Sequence, residues 1–419
     1  MKNKFNSFFF IYINFIFILA IYYLYQKHTV GNDSTISEWI INYQGGFTRR
    51  GLIGEICFQV ANKFNLQLRF VIFLIQSFIY FIYSIIIFLY LKDSQKNCLI
   101  IIALFSPIFL LYPIAEIEVL ARKEIFLYIG FIIFLFLSSI NLSKNIPLIY
   151  IFFIYPILYL IWEPFILFSF FSILVILIRN FNSSLKKVVL KCMLSFSSTV
   201  IVIAIIVLDK FNAAEHNLMK ESLMINFNES CYMSCAYLSS KSSIKAQFAS
   251  VYNLLSIEVI FRYSLILLIG FMPLMILAYN SKFKSKIFFL PNNFLLVLLS
   301  ILTPVIILFS AGTDWGRWVN MSYTFSILTF FYLLKNNFIK INNKIKFFDD
   351  FNLRNKKISI IFFIFFAFMW NPKTGMTGDV ATNSLYKIIY NTSKSVFKFQ
   401  SIRLFQDSPI IKFHKEFIE

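Results

Sequence analysis

Apolar residues gather along this chain into long, nearly unbroken runs, near 8–25, 70–91, 99–112, 125–140, 147–161, 165–178, 192–208, 258–279, 294–310, 318–334 and 358–370. About 20 apolar residues wound into a helix cross the roughly 30 Å of hydrocarbon in a bilayer. A helix also satisfies its own backbone polar groups there, where no water can. The pattern predicts an all-α fold: a polytopic transmembrane bundle of about 11 helices over residues 1–370, several of them short, followed by an extracytoplasmic tail over 371–419. No internal repeat and no soluble domain shows.

Composition agrees with that pattern. The 419 residues are 59% hydrophobic and only 14% charged, against roughly 25% charged in a soluble domain, which excludes an ordinary water-soluble core. The 55 Phe, with abundant Ile, Asn and Lys, read as the imprint of an AT-rich genome. A net charge of +19 does not indicate nucleic acid, because the charges are scattered through short loops and form no basic domain. The start, Met1 to Lys4 and then an apolar run with no small-residue cleavage site, reads as an uncleaved first helix.

Charge fixes the expected orientation. With a cytoplasmic N-terminus, the segments 1–7, 92–98, 141–146, 179–191, 280–293 and 335–357 face the cytoplasm. They carry 19 Lys and Arg against only three acids, Asp93, Asp349 and Asp350, which is the positive-inside pattern. The other acids, and Trp39, Trp162, Trp315, Trp318 and Trp370, fall on the opposite face. That face is built from loops at 26–69, 113–124, 162–164, 209–257 and 311–317. An aromatic belt would place Trp at both interfaces, so the one-sided Trp favour a site.

Four places carry candidate chemistry. In Tyr43-Gln-Gly-Gly-Phe-Thr-Arg-Arg-Gly-Leu-Ile-Gly-Glu55, four glycines would let backbone approach a ligand, and Arg49 and Arg50 offer forked donors for phosphate oxygens. The other reading of this loop is a glycine-rich turn with arginines at lipid headgroups. Upstream, Asp33 and Glu38 are either general bases or solvated loop acids. Glu116-Ile-Glu118-Val-Leu-Ala-Arg122-Lys123-Glu124 lies between two short apolar runs, so its charges sit partly at membrane depth, where ionisable groups line a cavity or pair. Glu118 and Arg122 have the spacing of a helical ion pair. Trp162-Glu163-Pro164 breaks a stretch too long for one crossing, and the hinge presents Glu163 outward; a kinked single helix is the rival. In Gly312-Thr-Asp314-Trp315-Gly-Arg317-Trp318, either Asp314 and Arg317 pair, or Trp315 and Trp318 stack on sugars while Arg317 holds phosphate.

Glu215 and His216 offer an acid and an imidazole, though neighbours in a polar loop are usually just solvated. Cys231 and Cys235 can pair in an oxidising compartment, with little gain from so short a loop. No metal-ligand spacing, nucleotide-binding glycine motif or nucleophile elbow is present, and Cys and His are sparse. No cofactor and no metal are expected; the chemistry rests on carboxylates and arginines.

The combination Gly45-Gly-Phe-Thr-Arg-Arg-Gly51, Ala121-Arg-Lys-Glu124 and Gly312-Thr-Asp-Trp-Gly-Arg-Trp318 is similar to multi-spanning proteins of bacterial surface-polysaccharide loci, the O-antigen or capsule polymerases, whose fold relatives are membrane C-type glycosyltransferases. The resemblance implies an inner-membrane enzyme that joins undecaprenyl-diphosphate-linked oligosaccharides at the periplasmic face, with a flippase and a chain-length regulator as partners. Asp33, Glu55, Glu118, Glu163 and Asp314 are then the candidate catalytic carboxylates. Arg49, Arg50, Arg122, Lys123, Trp315, Arg317 and Trp318 are the candidate substrate-binding residues. Many such polymerases have two large arginine-bearing periplasmic loops and this chain has one long loop, so a C-type transferase adding a single sugar from a polyprenyl-phosphate donor stays open. A lipid-linked-sugar transporter is the rival from another class, and an acyltransferase a third.

Overall fold

The computed structural model describes residues 2–29, 34–92, 94, 97–120, 122–139, 142–208, 211–238, 244–342 and 355–378. Over these the chain is mostly helical, with five helices long and apolar enough to cross a membrane: Phe5–Thr29, Leu68–Leu91, Leu185–Leu208, Ile257–Tyr279 and Phe294–Ala311. Their outer faces stay apolar. Leu185–Leu208, for example, leaves Met193, Leu194, Val200, Ile201, Val207 and Leu208 exposed, as a hydrocarbon solvent permits. The contacts group the chain into two compact units, one of residues 3–93 and 120–242, the other of residues 94–119 and 243–419.

In the first unit, two shorter apolar helices, Glu124–Leu137 and Ile146–Ile161, pack together. The expected break is present. Trp162 is extended (φ −158°, ψ 101°), and a 3-10 turn Glu163–Phe168 leads into Ser169–Arg179. Tyr155 shares a hydrogen bond with Ser172 and Tyr159 one with Ser169. These nested pairs lay the two arms antiparallel and give the buried hydroxyls partners in an apolar setting.

In the second unit, Trp315–Lys335 is buried along almost its whole length. Its inward polar residues explain why the expected run 99–112 is not one helix. That run is helical only over Cys98–Leu104, and Tyr112–Ala115 follows as a separate turn. Asn320 donates to the carbonyls of Ile108 (2.8 Å) and Phe109 (3.0 Å), and Tyr323 to that of Ala103 (2.7 Å). Irregular backbone survives in such a setting only when side chains supply its missing partners. The unit also departs from an all-α fold. Ser281–Phe283 and Ile339–Ile341 form a two-stranded antiparallel ladder with Lys282 opposite Lys340.

The polar loops carry further helices, Gly51–Lys63 in the first loop and Ala213–Phe227 and Ile244–Leu254 in the long one. Of the expected tail over 371–419, the structure describes residues 371–378.

Candidate functional site

The first unit gathers the ionisable residues of three separate sequence segments into one buried network. Arg50 Nε and Nη2 donate to the two carboxylate oxygens of Glu163 at 2.8 Å each, and Arg49 reaches the same carboxylate at 3.6 Å. On its other side Arg50 lies 3.7 Å from Glu38, which pairs with Arg122 at 2.9 Å. The Lys123 ammonium donates to the Arg50 carbonyl at 2.6 Å, and Glu124 adds its charge to the field at Arg50. Glu38, Lys123 and Glu124 are buried, while Arg49 is the most exposed member.

Local backbone explains how these groups meet. Arg50 takes a left-handed conformation (φ 64°) immediately before helix Gly51–Lys63, which is uncommon for a residue with a side chain and is tolerated where the surroundings fix it. Glu55, one turn into that helix, accepts from the Tyr43 amide (2.8 Å) and from the side chains of Gln44 and Gln59. It therefore anchors the loop entry and is not part of the network. The glycines serve packing within the protein. A Cβ at Gly45 would meet the Glu215 carbonyl oxygen at 1.9 Å, one at Gly51 the Tyr43 ring at 2.2 Å, and one at Gly54 the Ile41 carbonyl oxygen at 1.8 Å. Gly46 has φ 130°, a conformation that glycine alone adopts freely. The expected close approach is thus of this loop to its own neighbours.

Electrostatics follow from the geometry. Burial alone would push the Glu163 carboxyl up, but the charge and hydrogen bonds of Arg50, helped by Arg49, outweigh it and hold the group below the ordinary range. Arg50 is likewise disfavoured by burial and held cationic by Glu163, Glu38 and Glu124. Burial lowers the Lys123 ammonium to about 8, with Glu38 opposing the shift and Arg50 adding to it. Four basic side chains against three carboxylates leave the cluster short of negative charge, and forked guanidinium donors match phosphate oxygens.

The other sequence candidates lie elsewhere. Asp33 is outside the described residues. Glu118 is exposed on the short helix Ile117–Leu120, and Arg122, which lies beyond that helix, pairs with Glu38. Trp39 and Trp162 are fully buried packing residues. Glu38 is no solvated loop acid. It is 2% exposed, and the hint in the sequence is its place directly before the apolar Trp39-Ile40-Ile41.

In the second unit, Asp314 and Arg317 do pair, at 2.8 Å, and the Arg317 guanidinium lies 4.5 Å from the Trp318 ring centre. Trp318 is buried, and Trp315 donates to the Phe309 carbonyl while its ring meets that of Tyr263 edge-on. Trp318 is thereby turned inward, while Trp315 stays partly exposed. Residues 371–378 close over this turn. Gly316 N donates to Thr374 O and Met376 N to Thr313 O, while buried Glu116 accepts from the Asn371 and Thr374 side chains.

One further cluster, again in the first unit, brings together two pairs that are separate candidates in the sequence. Glu215 is spent on a capping box with Asn212, leaving His216 to face Cys231 at 3.3 Å, and Cys231 is disulfide-bonded to Cys235. Their ligand atoms lie within 4.8 Å of one another, a soft-metal set in kind, but the disulfide occupies both sulfurs. Comparison with protein-family profiles, with curated proteins and with solved structures returns no match in any of the three.

Proposed function

We propose that the chain is a membrane glycosyltransferase joining undecaprenyl-diphosphate-linked oligosaccharide repeat units, an O-antigen or capsule polymerase, at the periplasmic face of a bacterial inner membrane. In this reading the N-terminus is cytoplasmic and the short helices complete about eleven crossings. The observation that carries the proposal is the network of Arg49, Arg50, Arg122 and Lys123 around Glu38 and Glu163, with Arg49 half-exposed at its edge. In glycosyl transfer the acceptor hydroxyl attacks the anomeric carbon and the diphosphate departs with growing negative charge. Cations already held in place by carboxylates stabilise that charge without reorganising. Glu163 then acts as an orienting group, because a carboxylate held below its ordinary range is a weak base. Asp33 is the candidate base from the first loop.

One observation favours the single-sugar C-type transferase as a second reading: the long segment 209–257 contains no arginine with which to hold a second diphosphate. The experiment is deletion of the gene, complementation with the wild-type chain, Arg50→Ala or Arg317→Ala, and gel analysis of surface-polysaccharide length. A polymerase predicts loss of the ladder with single repeat units still attached, restored by wild type and not by Arg50→Ala. A ladder of normal length and altered sugar composition selects the single-sugar transferase, and an unchanged polysaccharide rejects both.

A further inference from the structure

The Cys231–Cys235 disulfide lies where a crosslink can govern the network. The tight turn it closes places Ser234 between the neighbour of one member and another member: the Ser234 amide donates to Ser37 Oγ at 3.3 Å, and Arg122 Nη1 lies 3.4 Å from Ser234 Oγ. Ser37 is buried and directly precedes Glu38, the partner of Arg122. Between the two cysteines, Met233 holds a positive φ of 44° with an exposed side chain, a conformation that costs free energy and needs an external constraint to persist. Cys235 is fully buried, whereas Cys231 is half-buried and has His216 Nε2 at 3.3 Å.

We propose that Cys231 is a thiol–disulfide exchange site, and that its exchange with an external dithiol releases Ser234 from Ser37 and Arg122, loosening the Glu38–Arg122 pair. One thiolate of the dithiol attacks Cys231 Sγ, the accessible sulfur. The Cys231–Cys235 bond breaks, and Cys235 leaves as a thiolate and takes up a proton. The second thiol of the dithiol then attacks the partner sulfur of the mixed disulfide, so the dithiol ends as a disulfide and Cys231 leaves as a thiolate. His216 is placed to donate a hydrogen bond to that thiolate or protonate it, the setting that makes a cysteine reactive. The products are two thiols here and one disulfide on the partner. A five-residue ring adds little chain-entropy stabilisation, so the exchange changes local positions without unfolding the unit.

The test uses the full chain in detergent, reduced in place with dithiothreitol, briefly alkylated at neutral pH and mapped by mass spectrometry, with hydrogen exchange followed in parallel. Cys231 should alkylate faster than Cys235, His216→Ala should slow Cys231 by roughly tenfold, and reduction should raise amide exchange in the peptide containing Ser37 and Glu38. The Cys231→Ser/Cys235→Ser double variant should show the same raised exchange without reductant. Equal or faster alkylation of Cys235, no effect of His216→Ala, or unchanged exchange at Ser37–Glu38 in both the reduced chain and the double variant overturns the proposal.

Discussion

Arg50 and Glu163, 113 residues apart in sequence, meet as a two-point ion pair, Nε to Oε2 and Nη2 to Oε1, both at 2.8 Å. The pair ties the first polar loop to the hinge between two apolar helices. Both partners are largely withdrawn from water, so removing one charge leaves the other with an uncompensated desolvation cost. Glu163→Gln should destabilise the detergent-solubilised chain by about 2–3 kcal/mol, discounted from the fully buried case. Arg50→Lys should not rescue the geometry, because an ammonium cannot make the fork. Thermal melts of the two single variants and the double variant test this; additive shifts would show that the pair is uncoupled.

The pH dependence separates two members of the network. Glu163 is held below its ordinary carboxylate value of 4.5, so its contribution is complete above that pH and is lost as pH falls through the lowered value. Lys123 acts at the alkaline end, in the same direction. With the folded ammonium lowered to about 8 from 10.5, the unfolded chain binds more protons between those values, so stability rises with pH across that window. The rise is on the order of 3 kcal/mol. Lys123→Met should flatten it, as read from apparent Tm against pH for the two chains. An identical slope in the variant would remove Lys123 as its source.

Glycine positions offer a packing test. Gly54→Ala would drive a methyl into the Ile41 carbonyl, whereas nothing lies within 4 Å of a Cβ at Gly375. The first substitution should cost about 1–3 kcal/mol or prevent folding, by overpacking, and the second should be near neutral. Size-exclusion profiles and melts of the two variants check the contrast.

In the second unit, Glu116 fastens residues 371–374 through Asn371 Nδ2 (3.1 Å) and Thr374 Oγ1 (3.3 Å). Hydrogen bonds to a charged group contribute about 1.5–3 kcal/mol each. Glu116→Ala should therefore raise amide exchange over residues 371–378 well before the helices open. Exchange unchanged from wild type would show that the backbone bonds of Gly316 and Met376 hold the segment without Glu116.

Length and polarity of the apolar runs were enough to locate the five helices that are long and apolar enough to cross a membrane, because crossing hydrocarbon demands a long apolar segment wherever it occurs in the chain. The break at Trp162-Glu163-Pro164 was legible for the same reason: the stretch is too long for one crossing and carries a proline and a charge where it divides. The unwinding after Leu104 was not legible, since it depends on Asn320 and Tyr323, more than 200 residues away, supplying partners to freed carbonyls. Charge type marked Arg49, Arg50, Arg122, Lys123 and Glu163 as candidates from sequence. Only the tertiary structure decided which of them meet. An ion pair depends on separation in space, so Arg122 chose Glu38 over Glu118, Glu55 became a loop anchor, and Trp318 turned inward under Arg317.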